Sequence, residues 1–211
     1  GISRDEVIEM LAQHVVIKPV LDALFDTQEY RFSERNPIAK AMTAMMETLD
    51  KGVTRKTETL LSAFYGEVRA RVRGIRSAEA RQVLIVELFD KFFKKAFPKM
   101  QDKLGIVYTP VEIVDFINSS VAEVLKKEFG ASVSDKGVHI LDPFTGTGTF
   151  ITRMMQSGLI EKESLPYKYK NDLHANEIVP LAYYIASVNV ESVYRDLMPE
   201  SEYEPNNVMI W

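Results

Sequence analysis

The chain has 211 residues, of which 46% are hydrophobic and 27% charged, a balance typical of a globular protein that buries a sizeable core. It contains no cysteine, which excludes disulfide scaffolds, thiolate zinc sites and cysteine nucleophiles. Its apolar runs are too short to cross a bilayer and no signal peptide opens it, so a cytosolic soluble protein is the default expectation.

The net charge of −4 conceals an asymmetry between the two halves of the chain. Residues 1–100 hold 17 Lys and Arg against 14 Asp and Glu, whereas residues 101–211 hold 9 against 16. A protein that bound nucleic acid through its bulk charge would be more basic than this. The net charge therefore neither establishes nor excludes a nucleic-acid partner, because a local patch could still serve.

Residues 1–100 have the apolar spacing of successive amphipathic helices, with hydrophobic side chains every three or four residues in four segments. Asn36-Pro37 predicts a helix start, because asparagine caps helices and proline is tolerated at the first helical position. The Met and Phe stripes of these segments are interpreted as core. We predict a helical bundle, or part of one, as a first domain over residues 1–100.

Residues 101–211 alternate between helix and strand patterns. Thr109-Pro110-Val111-Glu112 predicts a capping box with proline at the first helical position, and Gly130 predicts the end of that helix. A strand at 138–141 ending on Asp142, a helix at 150–155, a strand at 173–177 and a helix from Pro180 follow. This order predicts an α/β second domain built on a parallel, doubly wound sheet.

The most informative stretch runs from Asp142 to Phe150, between a predicted strand and a predicted helix. Gly146 and Gly148 allow the backbone to approach a ligand closely, but Ile151 stands where a dinucleotide fingerprint has its third glycine, and no P-loop lysine is present. A carboxylate at Asp142 could meet a cationic amine, and one at Glu177 could accept the hydroxyls of a ribose. The alternative is a tight turn and a strand end with no ligand.

These residues resemble a known family. Asp142-Pro143-Phe144-Thr145-Gly146-Thr147-Gly148-Thr149-Phe150 is similar to the S-adenosylmethionine motif of adenine-N6 DNA methyltransferases, and the segments at 105–110 and 176–178 are similar to the motifs before and after it, in the family's order. The resemblance implies a Rossmann-like S-adenosylmethionine-dependent methyltransferase fold, of which residues 101–211 are the first part. The cofactor-binding residues that it implies are Tyr108, Thr109, Pro110, Asp142, Phe144, Gly146, Gly148, Glu177 and Ile178.

The helical first half resembles, less specifically, the helical coupler joined to the methyltransferase in type I and single-polypeptide type I restriction–modification enzymes. This resemblance implies a bacterial cytoplasmic protein that acts on double-stranded DNA, with helicase, nuclease or specificity domains or subunits as partners. The sequence departs from the family because it lacks the Asn/Asp/Ser-Pro-Pro-aromatic motif that grips the target amine. The chain is therefore expected to be a fragment that does not methylate by itself.

Several residues have competing interpretations. The basic cluster Arg69, Arg71, Arg73 and Arg76 is either a solvated helix face or a contact to DNA phosphate, and the run 167–170 is either a surface loop or a nucleic-acid contact. Thr109 and Pro110 have a complete structural role as a helix start, with or without a ligand. The three histidines lack metal-ligand spacing, so no metal site is predicted.

Two functional hypotheses follow. The first is a fragment of an adenine-N6 DNA methyltransferase that holds S-adenosylmethionine and acts on a base flipped out of the duplex. The second is a non-catalytic helical connector fused to a degenerate nucleotide-binding fold.

Overall fold

The computed structural model describes residues 3–25, 36–48, 59–75, 109–198 and 209–210, together with residues 56, 80 and 84. The chain divides into two compact units, residues 1–81 and 82–211. The predicted domain boundary at residue 100 lies outside the described residues and stays a prediction. Among the described residues, no helix combines the length and apolar character needed to span a membrane.

The first unit contains three helices in its described part: α1 (Arg4–Phe25), α2 (Pro37–Glu47) and α3 (Ser62–Val72). The predicted start of α2 is confirmed, because the Asn36 side chain accepts hydrogen bonds from the backbone N–H groups of Ile38 and Ala39 at 3.1 and 3.0 Å. Pro19 lies inside α1 without ending it. The helical character predicted for this half of the chain is thus confirmed over the described residues.

Helix α1 is the centre of this unit, because it packs against both other helices. Against α3, the buried Tyr65 donates its hydroxyl to the Val16 carbonyl oxygen at 3.0 Å. Against α2, His14 Nε2 lies 3.1 Å from Thr43 Oγ1, whose own hydrogen is donated to the Ala39 carbonyl oxygen. His14 therefore acts as the donor, and its burial, with a smaller contribution from Lys18, lowers its pKa to about 4.

The predicted methionine stripe of α2 is only partly a core. Met42 is buried, as predicted, whereas Met45 is 48% exposed, so the core interpretation of Met45 is wrong. A helix of 11 residues turns only one stripe toward its neighbour, and Ala39 and Met42 occupy that stripe.

The second unit contains α4 (Val111–Phe129), β1 (Ile140–Asp142), α5 (Thr149–Gln156), α6 (Leu165–Asn171), β2 (Leu173–Asn176), α7 (Pro180–Leu197) and β3 (Met209–Ile210). The strands form one parallel sheet in the order β1-β2-β3. Ile140 pairs with Leu173 and Ala175 with Met209. The parallel pairing brings the ends of β1 and β2, and the loops that follow them, to one edge of the sheet.

The expected α/β architecture with a Rossmann-like methyltransferase fold is wrong. The described residues are mostly helical, and the strands contain only three, four and two residues. One physical reason is visible before β1: the predicted strand began at Val138, but the Val138 carbonyl oxygen accepts a hydrogen bond from the Lys168 ammonium group instead of entering the sheet. Tertiary contacts thus override the apolar pattern of this segment.

Helix α7 forms the core of the second unit, and 13 of its residues are buried. Pro180 opens it, as predicted, and the run from Leu181 to Ala186 is buried on every side of the helix. The Tyr194 ring stacks on Tyr169 of α6 with ring centroids 3.7 Å apart. A helical segment that is apolar all round is expected to be enclosed by its neighbours, as the run from Leu181 to Ala186 is.

The predicted capping box at the start of α4 is wrong in its position. Pro110 is the cap residue, with an extended backbone, and no side chain caps the helix. The Pro110 carbonyl oxygen instead accepts from the N–H groups of Ile113 and Val114 at 3.0 and 3.1 Å. The helix ends at Gly130 with a φ of 63°, which confirms the predicted glycine stop.

Candidate cofactor site

The loop from Asp142 to Gly148 joins β1 to α5 and is held as a compact turn; we call it the glycine loop. The Gly148 N–H donates to the Thr145 carbonyl oxygen at 2.9 Å, and the Thr145 N–H donates to the Asn176 carbonyl oxygen at 3.1 Å. Gly146 and Gly148 have φ values of 57° and 88°, which side-chain-bearing residues rarely adopt. Glycine is therefore required at both positions by the backbone.

Asp142 stands at the end of β1 with one carboxylate oxygen unused. Its Oδ1 accepts from the Phe144 N–H at 3.2 Å, whereas its buried Oδ2 has no hydrogen-bond partner among the described residues. Burial raises the pKa of this carboxyl group, and the Phe144 hydrogen bond opposes the rise. A cationic group beside Oδ2 would satisfy the free oxygen and stabilise the ionised form.

Glu177 lies at the same edge of the sheet, directly after β2. Its Oε2 accepts from the Gly146 N–H at 2.9 Å, and its Oε1 accepts from the Val179 N–H at 2.8 Å. Each oxygen keeps capacity for a further donor, because a carboxylate offers about four acceptor positions in total. The structure thus brings Asp142, the glycine loop and Glu177 together, although Asp142 and Glu177 are 35 positions apart in the sequence.

Two apolar side chains next to these acids are exposed. Phe144 is 88% exposed and Ile178 is 70% exposed, although large apolar side chains are more often buried in a folded protein. Single exposed apolar residues need no explanation by themselves. Their position beside Asp142 and Glu177 makes them available to cover the apolar surface of a ligand.

Thr109 and Pro110 lie just before α4, and Tyr108 lies outside the described residues. The side-chain hydrogen bonds between α4 and α5 involve α4 residues further along the chain. Arg153 donates to Asp115 through two parallel hydrogen bonds of 2.8 and 2.7 Å, and the Asn118 amide donates to the Phe150 carbonyl oxygen at 3.2 Å. These contacts attach α4 to the helix that follows the glycine loop, and they leave the ligand role of Thr109 and Pro110 as a prediction.

The segment 167–170 is helical, and two of its four residues are buried. It belongs to α6, and Lys168 and Tyr169 are buried. Lys168 Nζ lies 3.1 Å from Asp172 Oδ2. Burial would raise the pKa of Asp172, but hydrogen bonds from Lys168 and Gly137 hold that pKa below its ordinary value. Both interpretations of this run, surface loop and nucleic-acid contact, are therefore wrong for Lys168 and Tyr169.

His139 and His174 meet although they are 35 residues apart, because β1 and β2 pair side by side. His139 Nδ1 lies 2.8 Å from His174 Nε2, and the rings stack. Among the described residues, no group of three or more His, Cys, Asp or Glu side chains has the arrangement of a metal site. Only a knowledge of strand pairing would have brought the two histidines together from the sequence.

The described members of the basic cluster, Arg69, Arg71 and Arg73, are exposed on and just after α3. Arg76 lies outside the described residues. Exposure agrees with both interpretations of this cluster, so the choice between a solvated face and a phosphate contact stays open.

Comparison with known proteins gives one family and three similar structures. Residues 1–80 match the model of the Type ISP restriction-modification enzyme coupler domain. No curated protein sequence matches the chain at a significant level. The match supports the coupler resemblance predicted for the helical first half, and it does not show a methyltransferase fold.

The chain is 44% identical to the ATP-dependent Type ISP restriction-modification enzyme LlaBIII bound to DNA, with a TM-score of 0.86 over 100% of this chain and 14% of that one. It is 44% identical to a nuclease-deletion mutant of the Type ISP enzyme LlaGI in complex with a DNA substrate mimic, with a TM-score of 0.83 over 99% of this chain and 16% of that one. It is 35% identical to DrdV in a DNA complex, with a TM-score of 0.82 over 93% of this chain and 19% of that one.

The chain thus spans less than a fifth of the length of each of these three proteins. Residues 1–80 match the model of the Type ISP restriction-modification enzyme coupler domain, and the whole chain is similar in structure to two such enzymes.

Proposed function

We propose that this chain is the connecting segment of a larger restriction–modification enzyme, and that its second unit contributes an S-adenosylmethionine-binding site for methylation of adenine N6 in double-stranded DNA. The connecting role is supported by the coupler match over residues 1–80. The DNA partner is supported by the DNA-bound state of the similar structures. The cofactor site rests on the geometry of the glycine loop.

The observation that carries the cofactor proposal is the unused Oδ2 of Asp142. A buried acceptor without a donor is destabilising by about 1–3 kcal/mol, and such atoms are rare in folded proteins unless a ligand or water satisfies them. The α-ammonium group of a methionine moiety carries a positive charge and three donors. It would therefore satisfy the free oxygen and offset the burial that raises the Asp142 pKa.

The remaining residues fit the rest of the same ligand. The Glu177 oxygens accept from backbone N–H groups and keep lone pairs for the two hydroxyls of a ribose. Ile178 and Phe144 offer exposed apolar surface to an adenine ring. Tyr108, Thr109 and Pro110 are retained as a proposed cover for the methionine end, on the strength of the sequence resemblance alone.

The chemistry assigned to this chain is binding and orientation. S-adenosylmethionine, when bound, supplies an electrophilic methyl group on a sulfonium. Asp142 and Glu177 would fix the two ends of the ligand, so that its position relative to an incoming base is set before reaction. The sequence has no Asn/Asp/Ser-Pro-Pro-aromatic motif to accept from the target amine, so transfer itself is assigned to the larger protein.

Calorimetric titration with S-adenosylmethionine tests the proposal. Saturable binding is expected, and Glu177→Gln and Asp142→Asn should each weaken it by about tenfold or more, the loss expected for one charge-assisted hydrogen bond. Glu163→Gln removes an exposed carboxylate from the same unit and is the matched control, with binding unchanged. If neither this chain nor the longer protein binds S-adenosylmethionine, only the connecting role remains, which is the second hypothesis.

A further inference from the structure

Helix α7 lies directly against the glycine loop. A Cβ atom built at Gly148 would stand 3.3 Å from the Ala186 Cα and 3.3 Å from the Val190 Cγ2. Such contacts are tighter than ordinary van der Waals separation. Gly148 is thus needed for the close approach of α7 as well as for its backbone angle.

One buried polar side chain of α7 reaches the loop at this contact. Asn189 is 3% exposed, and its Nδ2 donates to the Thr147 carbonyl oxygen at 2.9 Å. The residues that flank it, Val188 and Val190, are 1% exposed. Burying an amide in apolar surroundings is destabilising unless the amide is hydrogen-bonded. Here its hydrogen-bond partner is the backbone of the glycine loop.

Hydrogen bonds hold the Thr147–Gly148 peptide bond on both sides. Opposite rotations of the Thr147 ψ angle and the Gly148 φ angle invert this peptide with little movement elsewhere, and glycine tolerates φ of either sign. The backbone freedom of Gly148 therefore does not by itself fix the orientation of this peptide. Two hydrogen bonds select it: Asn189 to the Thr147 carbonyl oxygen, and the Gly148 N–H to the Thr145 carbonyl oxygen.

We propose that Asn189 is a positioning residue for the glycine loop, which it holds in the single peptide orientation that presents the loop to the cofactor. This inference rests on the proposed cofactor site but adds a residue that lies outside it. Loss of the amide donor would release the Thr147 carbonyl group and allow the inverted peptide to be populated. The affinity for S-adenosylmethionine would then fall in proportion to the fraction of chains that leave the competent orientation.

The chain contains a matched control for this role. Asn118 is also buried, at 5% exposed, and its Nδ2 also donates to a backbone carbonyl oxygen, that of Phe150 at 3.2 Å. That carbonyl belongs to the second residue of α5 and not to the loop. Replacing either asparagine with aspartate removes one buried amide donor without changing side-chain size, but only Asn189→Asp removes it from the loop.

The test combines ligand-free NMR with calorimetry on the 211-residue chain. In Asn189→Asp, the Gly146 and Gly148 amide resonances should move and the Gly148 amide should exchange with solvent faster than the global stability of the variant accounts for. The affinity for S-adenosylmethionine should fall by about tenfold, the effect expected for one buried hydrogen bond. In Asn118→Asp, both glycine amides and the affinity should stay within about twofold of the original chain once stability is matched.

If the aspartate variant does not fold, Asn189→Ser replaces it in the test, because serine is smaller and uncharged. The same resonance shifts and the same loss of affinity are expected. The proposal is overturned if the glycine amides are unmoved in the folded Asn189 variants, or if Asn118→Asp moves them equally. The NMR readout needs no cofactor. If neither this chain nor the longer protein binds S-adenosylmethionine but the Asn189-dependent shifts are seen, the proposed cofactor site is refuted and the role of Asn189 in positioning the loop is kept.

Discussion

Replacement of Asp142 with asparagine should stabilise the second unit and weaken cofactor binding at the same time. The Asp142 carboxylate is partly buried, with one oxygen bonded to the Phe144 N–H and the other unused. Asparagine keeps an acceptor for Phe144 and removes the charge. If the aspartate is present for a cationic ligand, the ligand-free chain is less stable because of it.

The size of the stability effect follows from the environment of the side chain. Asparagine still places a polar atom at the Oδ2 position, so the gain comes from removing the partly buried charge, and the partial exposure of Asp142 keeps it to about 1 kcal/mol. For a unit of this size, that gain corresponds to a rise in the unfolding temperature of roughly 3 °C. Loss of the charge-assisted contact should weaken S-adenosylmethionine binding by about tenfold to a hundredfold.

The pH dependence of the stability predicts the sign of this stability difference independently. Burial raises the Asp142 pKa in the folded chain above its unfolded value, so the folded state holds this proton more tightly. The stability that the raised pKa confers is complete below the unfolded pKa and is lost as the pH rises through the folded pKa. The advantage of Asp142→Asn should therefore be present at neutral pH and vanish in acid.

Thermal unfolding of the original chain and of Asp142→Asn, at neutral and acidic pH, measures the stability effect, and calorimetry measures the binding. The reasoning is refuted if the asparagine variant is less stable at neutral pH. It is refuted equally if the variant binds S-adenosylmethionine as tightly as the original chain does.

Three further predictions concern stability. Gly148→Ala should lower the free energy of unfolding by roughly 2 kcal/mol in denaturant titrations, because the new Cβ meets the Ala186 backbone at a φ of 88°; an unchanged midpoint would contradict the tight packing. Because the pKa of His14 is lowered to about 4, the first unit should lose roughly 2 kcal/mol of stability as the pH falls from 6.5 toward 4, and His14→Gln should abolish this loss. Lys168→Met should cost about 3 kcal/mol, because it leaves the buried Asp172 without its cation; a neutral effect in the same titration would show that the ion pair is dispensable.

Helix boundaries that are set by one or two neighbouring residues could be predicted from the sequence. The Asn36 cap, the Gly130 stop and the start at Pro180 are properties of one or two residues, and the structure confirms all three. The capping box at Thr109 failed because the helix begins one residue later, at Val111, with Pro110 as its cap. A local pattern thus predicts that a helix begins but leaves its first residue uncertain by one position.

The contacts that define the candidate site depend on tertiary structure. Asn189 and Thr147 are 42 residues apart, and Asp115 and Arg153 are 38 apart, so no spacing rule brings either pair together. The fold prediction failed for the same reason. Apolar runs typical of strands predict a doubly wound sheet, whereas the contact from Lys168 to the Val138 carbonyl oxygen keeps Val138 out of β1, which begins at Ile140.

A crystal structure of this chain grown with S-adenosylmethionine tests the central claim most directly. Density for the ligand is expected at the glycine loop, with its ammonium group within hydrogen-bonding distance of Asp142 Oδ2 and its ribose hydroxyls at the Glu177 carboxylate. A ligand bound elsewhere, or an ordered glycine loop without ligand in a crystal saturated with it, would contradict the account.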